Sequence, residues 1–187
     1  MNLIDESDRG AVIVGATLLE NELDEILNRV FSRSHMSKKQ LKDMFDLSGP
    51  LSSFSSKTLI CYGFNLISKD IFDDLSKIRK LRNKFAHSHD AVDFLSKEIV
   101  DQVSNIKCCQ KAAESFSGKR FSIENKVEDD ELVCPEDWEL RASGFVKYTK
   151  SNFCIGIKNL IIEIKKYQII SLINDIENSS VNLNGKT

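Results

Sequence analysis

The stretch Lys77-Ile78-Arg79-Lys80-Leu81-Arg82-Asn83-Lys84-Phe85-Ala86-His87-Ser88-His89 holds five lysines or arginines, two histidines and no acid. The whole chain balances 26 basic against 28 acidic residues, a formal net charge of −2. The cations of this stretch are therefore a local concentration, and phosphate is the natural partner for such a patch. Lys77, Arg79, Lys80 and Lys84 are the candidate contacts to a phosphate group or to an RNA or DNA backbone. The competing reading is a solvated helix face, the commoner fate of a charge run.

Helical geometry sorts these residues. At about 100° per residue, Asn83 and His87 share a face, with Arg79 near them. Arg82 lies about 140° from His87 and falls on the apolar stripe of Leu75, Ile78 and Phe85. A buried arginine needs a carboxylate. The seam of the first helix, extended back four residues from Val12, reaches Asp8, with Glu6 and Asp5 close by. The expectation is a structural ion pair of Arg82 with Asp8 or Glu6, with Arg82 mostly buried. His87 alternatively caps its helix end, where a cation meets the negative terminus.

The elements that must position these groups read as helices. Residues 7–31 repeat Val12, Ala16, Leu19, Leu23, Ile26 and Val30 at helical spacing. Ser37 with Gln40 opens a short helix over 37–46 with a capping-box pattern. Ser48-Gly49-Pro50 breaks the chain. A helix over 52–66 offers Phe54, Leu59, Tyr62 and Leu66 as inward residues. Ser68 caps one over 69–87, and another covers 96–114 with Ile99, Val103, Ile106 and Ala113 inward. Residues 115–143 read as an irregular acidic excursion. Arg120 to Ile123 reads as a short strand or extended segment, and Glu128, Asp129, Asp130, Glu131, Glu136, Asp137 and Glu139 as a solvated loop. A last helix covers 144–177, apolar on a wide arc from Phe153 to Ile176, and the tail to Thr187 frays. That arc is either a central core face or a surface shared with a second subunit.

Composition agrees. With 187 residues, 41% hydrophobic and 29% charged, the chain can bury a core without a metal or disulfide staple. Two prolines and eight glycines are too few for the turns of a sandwich or barrel. The expected fold is all-α, a single-domain helical bundle with a core over 1–114, the excursion over 115–143 and a packing helix over 144–187. Five cysteines, odd in number and without a C-x-x-C, argue for reduced thiols and against a zinc site, so no metal and no cofactor are expected. The acidic start MNLIDESDRG is no signal peptide, and Lys158, Glu163, Lys165 and Lys166 interrupt the most apolar late stretch. These features point to a cytoplasmic protein with no membrane span.

Several separated motifs resemble one family. Glu6-Ser7-Asp8-Arg9-Gly10, then Gly49-Pro50-Leu51-Ser52-Ser53-Phe54-Ser55 with Lys57, then Tyr62 and Leu66-Ile67, and finally Asp74-Leu75, Ile78-Arg79-Lys80, Arg82-Asn83 and Phe85-Ala86-His87 look like the mannitol-operon repressor (MltR-like) family. The resemblance covers residues 6 to about 100. It implies an all-helical fold and a role in transcriptional regulation, here without a helix-turn-helix. Arg82-Asn83 followed by His87 also resembles the signature of the HEPN superfamily. That resemblance implies a composite, metal-independent ribonuclease site shared by two subunits. His87 would transfer the proton, Arg82 would bind the phosphate or transition state, and Asn83 would position the substrate.

Three functions follow as expectations. The first is a regulator that binds a partner protein or nucleic acid, and the second is a HEPN-type ribonuclease. The third is a non-catalytic helical adaptor. A homodimer that brings two copies of the Arg79–His87 segment near one another is also expected. Arg82 and His87 diverge within one chain, so a shared phosphate site needs either a helix break before His87 or a second subunit, and the HEPN resemblance implies the second subunit.

Overall fold

Seven helices succeed one another in the computed structural model, which describes residues 2–88, 92–124 and 138–184. They are α1 (Asp8–Phe31), α2 (Lys38–Phe45), α3 (Phe54–Gly63), α4 (Lys69–His87), α5 (Lys97–Ser104), α6 (Lys107–Glu124) and α7 (Trp138–Asn184). No strand occurs among the described residues, and the fold is all-α. Serines start the first four helices, as their short hydroxyls satisfy amides left without intrahelical partners. The Ser7 hydroxyl accepts from the Gly10 amide, and Ser53 accepts from Ser56. Ser68 accepts from Ile71, and Ser37 with Gln40 completes a reciprocal capping box.

Four expectations change. The helix expected over 96–114 breaks at Asn105-Ile106 into α5 and α6, where the Asn105 side chain turns back to the Asp101 carbonyl. Residues 115–124 continue α6, so Arg120 to Ile123 is helical rather than extended. The helix expected over 144–177 runs from Trp138 to Asn184, which includes Glu139 and part of the expected tail. The other six acids of the expected loop lie outside the described residues. Fourth, α3 is turned over. Lys57, Thr58 and Cys61 are buried, while Leu59 and Tyr62 are 59% and 37% exposed.

Contacts gather in two compact units. One comprises Met1–Thr17 and Lys77–Asn159, the other Leu18–Ser76 and Leu160–Thr187. In the first, Phe94 stands between Phe85 and Phe153, with ring centroids 5.7 and 5.6 Å away. These tilted pairs suit the ring quadrupoles and centre the apolar core. Two glycines let α7 approach. A Cβ on Gly15 would meet Ile157 and Phe153 at 3.3 Å, and one on Gly156 would stand 2.8 Å from Cys109 Sγ.

In the second unit Leu19, Leu23 and Leu27 of α1 are buried, as are Leu51, Ile71 and Leu75. A side chain on Gly49 would fall onto the carbonyl oxygens of Asp43 and Met44, so this turn admits only glycine. Asn65, at φ 56°, ends α3 in the left-handed region that asparagine tolerates. Tyr167 and Gln168 of α7 hold that turn, the tyrosine hydroxyl on Asn65 Oδ1 at 3.3 Å and the amide on the Leu66 carbonyl.

The reversal of α3 has an electrostatic cause. Lys57 Nζ lies 2.9 Å from Glu20 Oε1 and 2.8 Å from Asp24 Oδ1, both on α1. Its side chain is 8% exposed, against 27% and 31% for the acids. Burial alone would lower the lysine's pKa, but the hydrogen bonds and charges of Asp24 and Glu20 outweigh it and leave a net rise above 10.5. Lys57→Met should therefore leave two half-buried carboxylates without a counterion. The expected cost is about 2–3 kcal/mol, below the fully buried case because the acids keep some water. Urea unfolding at neutral pH measures it. A raised folded pKa makes the stabilisation complete below the ordinary lysine value and lost as pH rises through the folded one. The gap between wild type and Lys57→Met should therefore close only in alkali above pH 10.5.

Candidate functional site

The basic segment occupies the second half of α4. Its cations are divided between neighbours and solvent. Lys77 Nζ donates to the Asn105 carbonyl at 2.7 Å, and Lys84 pairs with Glu98 of α5. Arg79 is half-buried and Lys80 is exposed. The four residues proposed for phosphate thus do not form one open row, since two of them reach across to α5 and its end.

Arg82 corrects the sequence reading. It is exposed, and its Nη1 donates to the neighbouring Asn83 Oδ1 at 3.2 Å. The seam of α4 is instead filled by Ile71, Asp74, Leu75, Ile78, Leu81 and Phe85, all buried. Arg82 stands at its edge, about 50° from its middle at 100° per residue, where a long side chain carries its charge to water. His87 lies in the last turn of α4 and is also exposed, with Asn83 half-buried between them in sequence. His89 lies outside the described residues.

The start of α1 and the end of α4 do meet, through other groups. Arg9 Nη2 donates to the Ser88 carbonyl at 2.9 Å, a cation at the helix terminus. Asp8 turns inward as expected, but to Lys150 of α7, at 3.3 Å, and its Oδ2 accepts the Phe94 amide at 3.0 Å. Lys150 also donates to the Glu6 carbonyl, so Glu6 contributes backbone and not charge. Lys150, Phe153 and Ile157 are spaced for one helix face, and a lysine on an inward stripe is the signal that could have named this partner. Lys57 carries the same signal beside Phe54 and Cys61 on α3.

The described thiols are not poised for nucleophilic chemistry. Cys61, Cys108 and Cys109 are buried and Cys154 is half-buried. Burial pushes Cys61 up to about 12 and Cys154 up to about 11. Among the described residues no group of three or more His, Cys, Asp or Glu is arranged to hold a metal ion. None of their helices is long and apolar enough to cross a membrane.

Fold and polar contacts together define an all-helical protein in which carboxylates of α1 hold lysines from α3 and α7. The family model described as MtlR, mannitol repressor, matches residues 4–165. The chain belongs to the mannitol repressor family. No curated protein matches it. Among solved structures, it is similar to a chain of the X-ray structure of the MtlR–HPr complex from Escherichia coli. The TM-score is 0.62 at 20% identity, over 85% of this chain and 90% of that one, a likeness of fold.

The two carboxylate sites and Arg82 make opposite predictions for stability. Arg82→Ala should change it by less than about 0.5 kcal/mol, as for exposed side chains generally. Asp8→Ala should cost about 2 kcal/mol, because it strands the Lys150 ammonium and the Phe94 amide together. Thermal unfolding of the two variants beside wild type checks both.

Proposed function

We propose that this protein is a cytoplasmic transcriptional regulator that acts by docking a partner protein, without a helix-turn-helix of its own. The observation that carries this is the exposed apolar surface around the C-terminal end of α3. Leu59, Tyr62 and Phe64, at the end of that helix, are 59%, 37% and 64% exposed. Tyr62 is braced by Phe72, their rings stacked at 4.5 Å. Rigid aromatic anchors flanked by aliphatic surface are the chemistry of protein interfaces. Family membership supports the regulatory half of the reading. The similar chain from Escherichia coli, solved in complex with HPr, supports a protein partner and makes HPr the first to test.

Calorimetric titration with purified HPr is the experiment. Binding should occur in the micromolar range or tighter, and Phe64→Ala should weaken it about tenfold while leaving the helical content unchanged. Lys80→Glu should have little effect. No binding to HPr, together with salt-dependent nucleic-acid binding abolished by Lys80→Glu, would replace the protein partner with a phosphate backbone.

A second reading rests on the exposure of Arg82 and His87 on α4. Two copies could present them to one phosphate as a HEPN-type ribonuclease, with Asn83 as the positioning group. RNA cleavage in EDTA that disappears in His87→Ala would establish this activity, and intact RNA under the same conditions would dismiss it.

A further inference from the structure

In the second unit, α1 and α7 border an open groove of about 290 Å³. Ile26, Ile164 and Ile169 supply its apolar surface, and Glu22, Glu25 and Lys165 line it from the two helices. Outward positions follow one helical stripe on each side. On α1 the stripe runs Leu18, Glu22, Glu25, Arg29; on α7 it runs Ile162, Lys166, Ile169, Ile173. The apolar members are large and open to solvent. Leu18 is 40% exposed, Ile162 41%, Ile169 57% and Ile173 49%. Glu22 and Lys165, which flanks the α7 stripe, join the two helices by an ion pair of 3.0 Å. Glu25 and Lys166, both exposed, have no ion-pair partner among the described residues.

We infer that this face binds a second copy of the chain. Its charges are arranged for self-recognition: the α1 wall is acidic at Glu22 and Glu25, and the α7 wall is basic at Lys165 and Lys166. An isologous interface sets each patch against its symmetry mate. Two placements of the two-fold axis bring the faces together. An axis across the helices lays α1 on α1 of the copy, acid on acid and lysine on lysine. An axis along the helices lays α1 on α7 of the copy and keeps each residue at its own height.

The second placement is the favourable one. Glu22 and Lys165 are at one height, because they pair within the chain. Glu25 is then about a turn further along, near the level of Lys166 and Ile169 of the copy. Leu18, one turn earlier, meets Ile162 of the copy. Glu22 faces the lysines of the copy, Glu25 reaches Lys166 beside Ile169, Leu18 faces Ile162, and the four helices close as a bundle over Ile169. Arg29, also on the groove, is a further turn along and comes level with Ile173 of the copy, where its aliphatic stem can lie on the isoleucine while its charge stays hydrated. This assembly differs from a dimer through the Arg79–His87 segment, which would set like charges against each other. It does not depend on the α3 surface proposed for a partner protein.

Light scattering of the full chain, eluted from a sizing column at micromolar concentrations, tests the inference. A dimer is expected, and Ile169→Asp should make it monomeric with unchanged helical circular dichroism. Glu25→Lys and Lys166→Glu should each raise the dimer Kd about tenfold, the combined effect of the two symmetry-related charge pairs that each breaks, and the double exchange should restore it. A wild-type monomer at these concentrations would overturn the assignment. So would a dimer indifferent to Ile169→Asp, or a double exchange weaker than both single variants. A monomer that loses HPr binding on Ile169→Asp would give the face to a partner protein instead.

Discussion

An ammonium group withdrawn from water must be surrounded by oxygen, and α1 supplies that oxygen twice. At its start, Asp8 and the Glu6 carbonyl receive Lys150. Three to four turns beyond, Glu20 and Asp24 receive Lys57. Neither lysine tolerates a rotation of its own helix, since the charge would then meet hydrocarbon. The direction in which α3 faces follows from the second pair, and with it the exposure of Leu59 and Tyr62. Hydrophobicity alone would have turned α3 the other way. A local charge constraint thus produces the apolar surface on which the functional reading rests.

The motifs that resemble the family have structural duties of this kind. Ser7 caps α1, Asp8 holds Lys150, and Arg9 closes the end of α4. Gly49 makes room for two carbonyls, Leu51 is buried, Ser53 caps α3, and Lys57 fills the carboxylate pair. Their order along the chain specifies a fold more than a reaction. This is consistent with regulation by contact, where the scaffold is shared and the chemistry of the outer faces decides what is bound.

Much of the fold could be read from the chain because its signals are local. The Ser37–Gln40 box and the Ser68 cap set helix starts within five residues of themselves. The stripe from Val12 to Ile26 and that from Ile71 to Phe85 set buried faces by period alone. Two kinds of feature escaped. Residues 115–124, with serines, a glycine and few periodic apolar positions, give no periodic signal, yet they continue α6. Ion pairs across the fold escaped for another reason. Asp8 and Lys150 are 142 positions apart, and no spacing rule connects them. For the candidate site, periodicity placed Arg82 inside because it treats every residue on a stripe as buried. An arginine at the stripe's edge has enough reach to leave it.

The close approach at Gly156 has a consequence for the thiol opposite. Cys109 is 2% exposed, and its sulfur already occupies the space that a methyl group on residue 156 would need. At this burial the sulfur is out of a reagent's reach while α6 and α7 remain together. Modification must wait for the two helices to part. The thiol is in effect a clock on that separation: its labelling rate counts openings of one helix pair, at a place where the backbone itself sets the escapement.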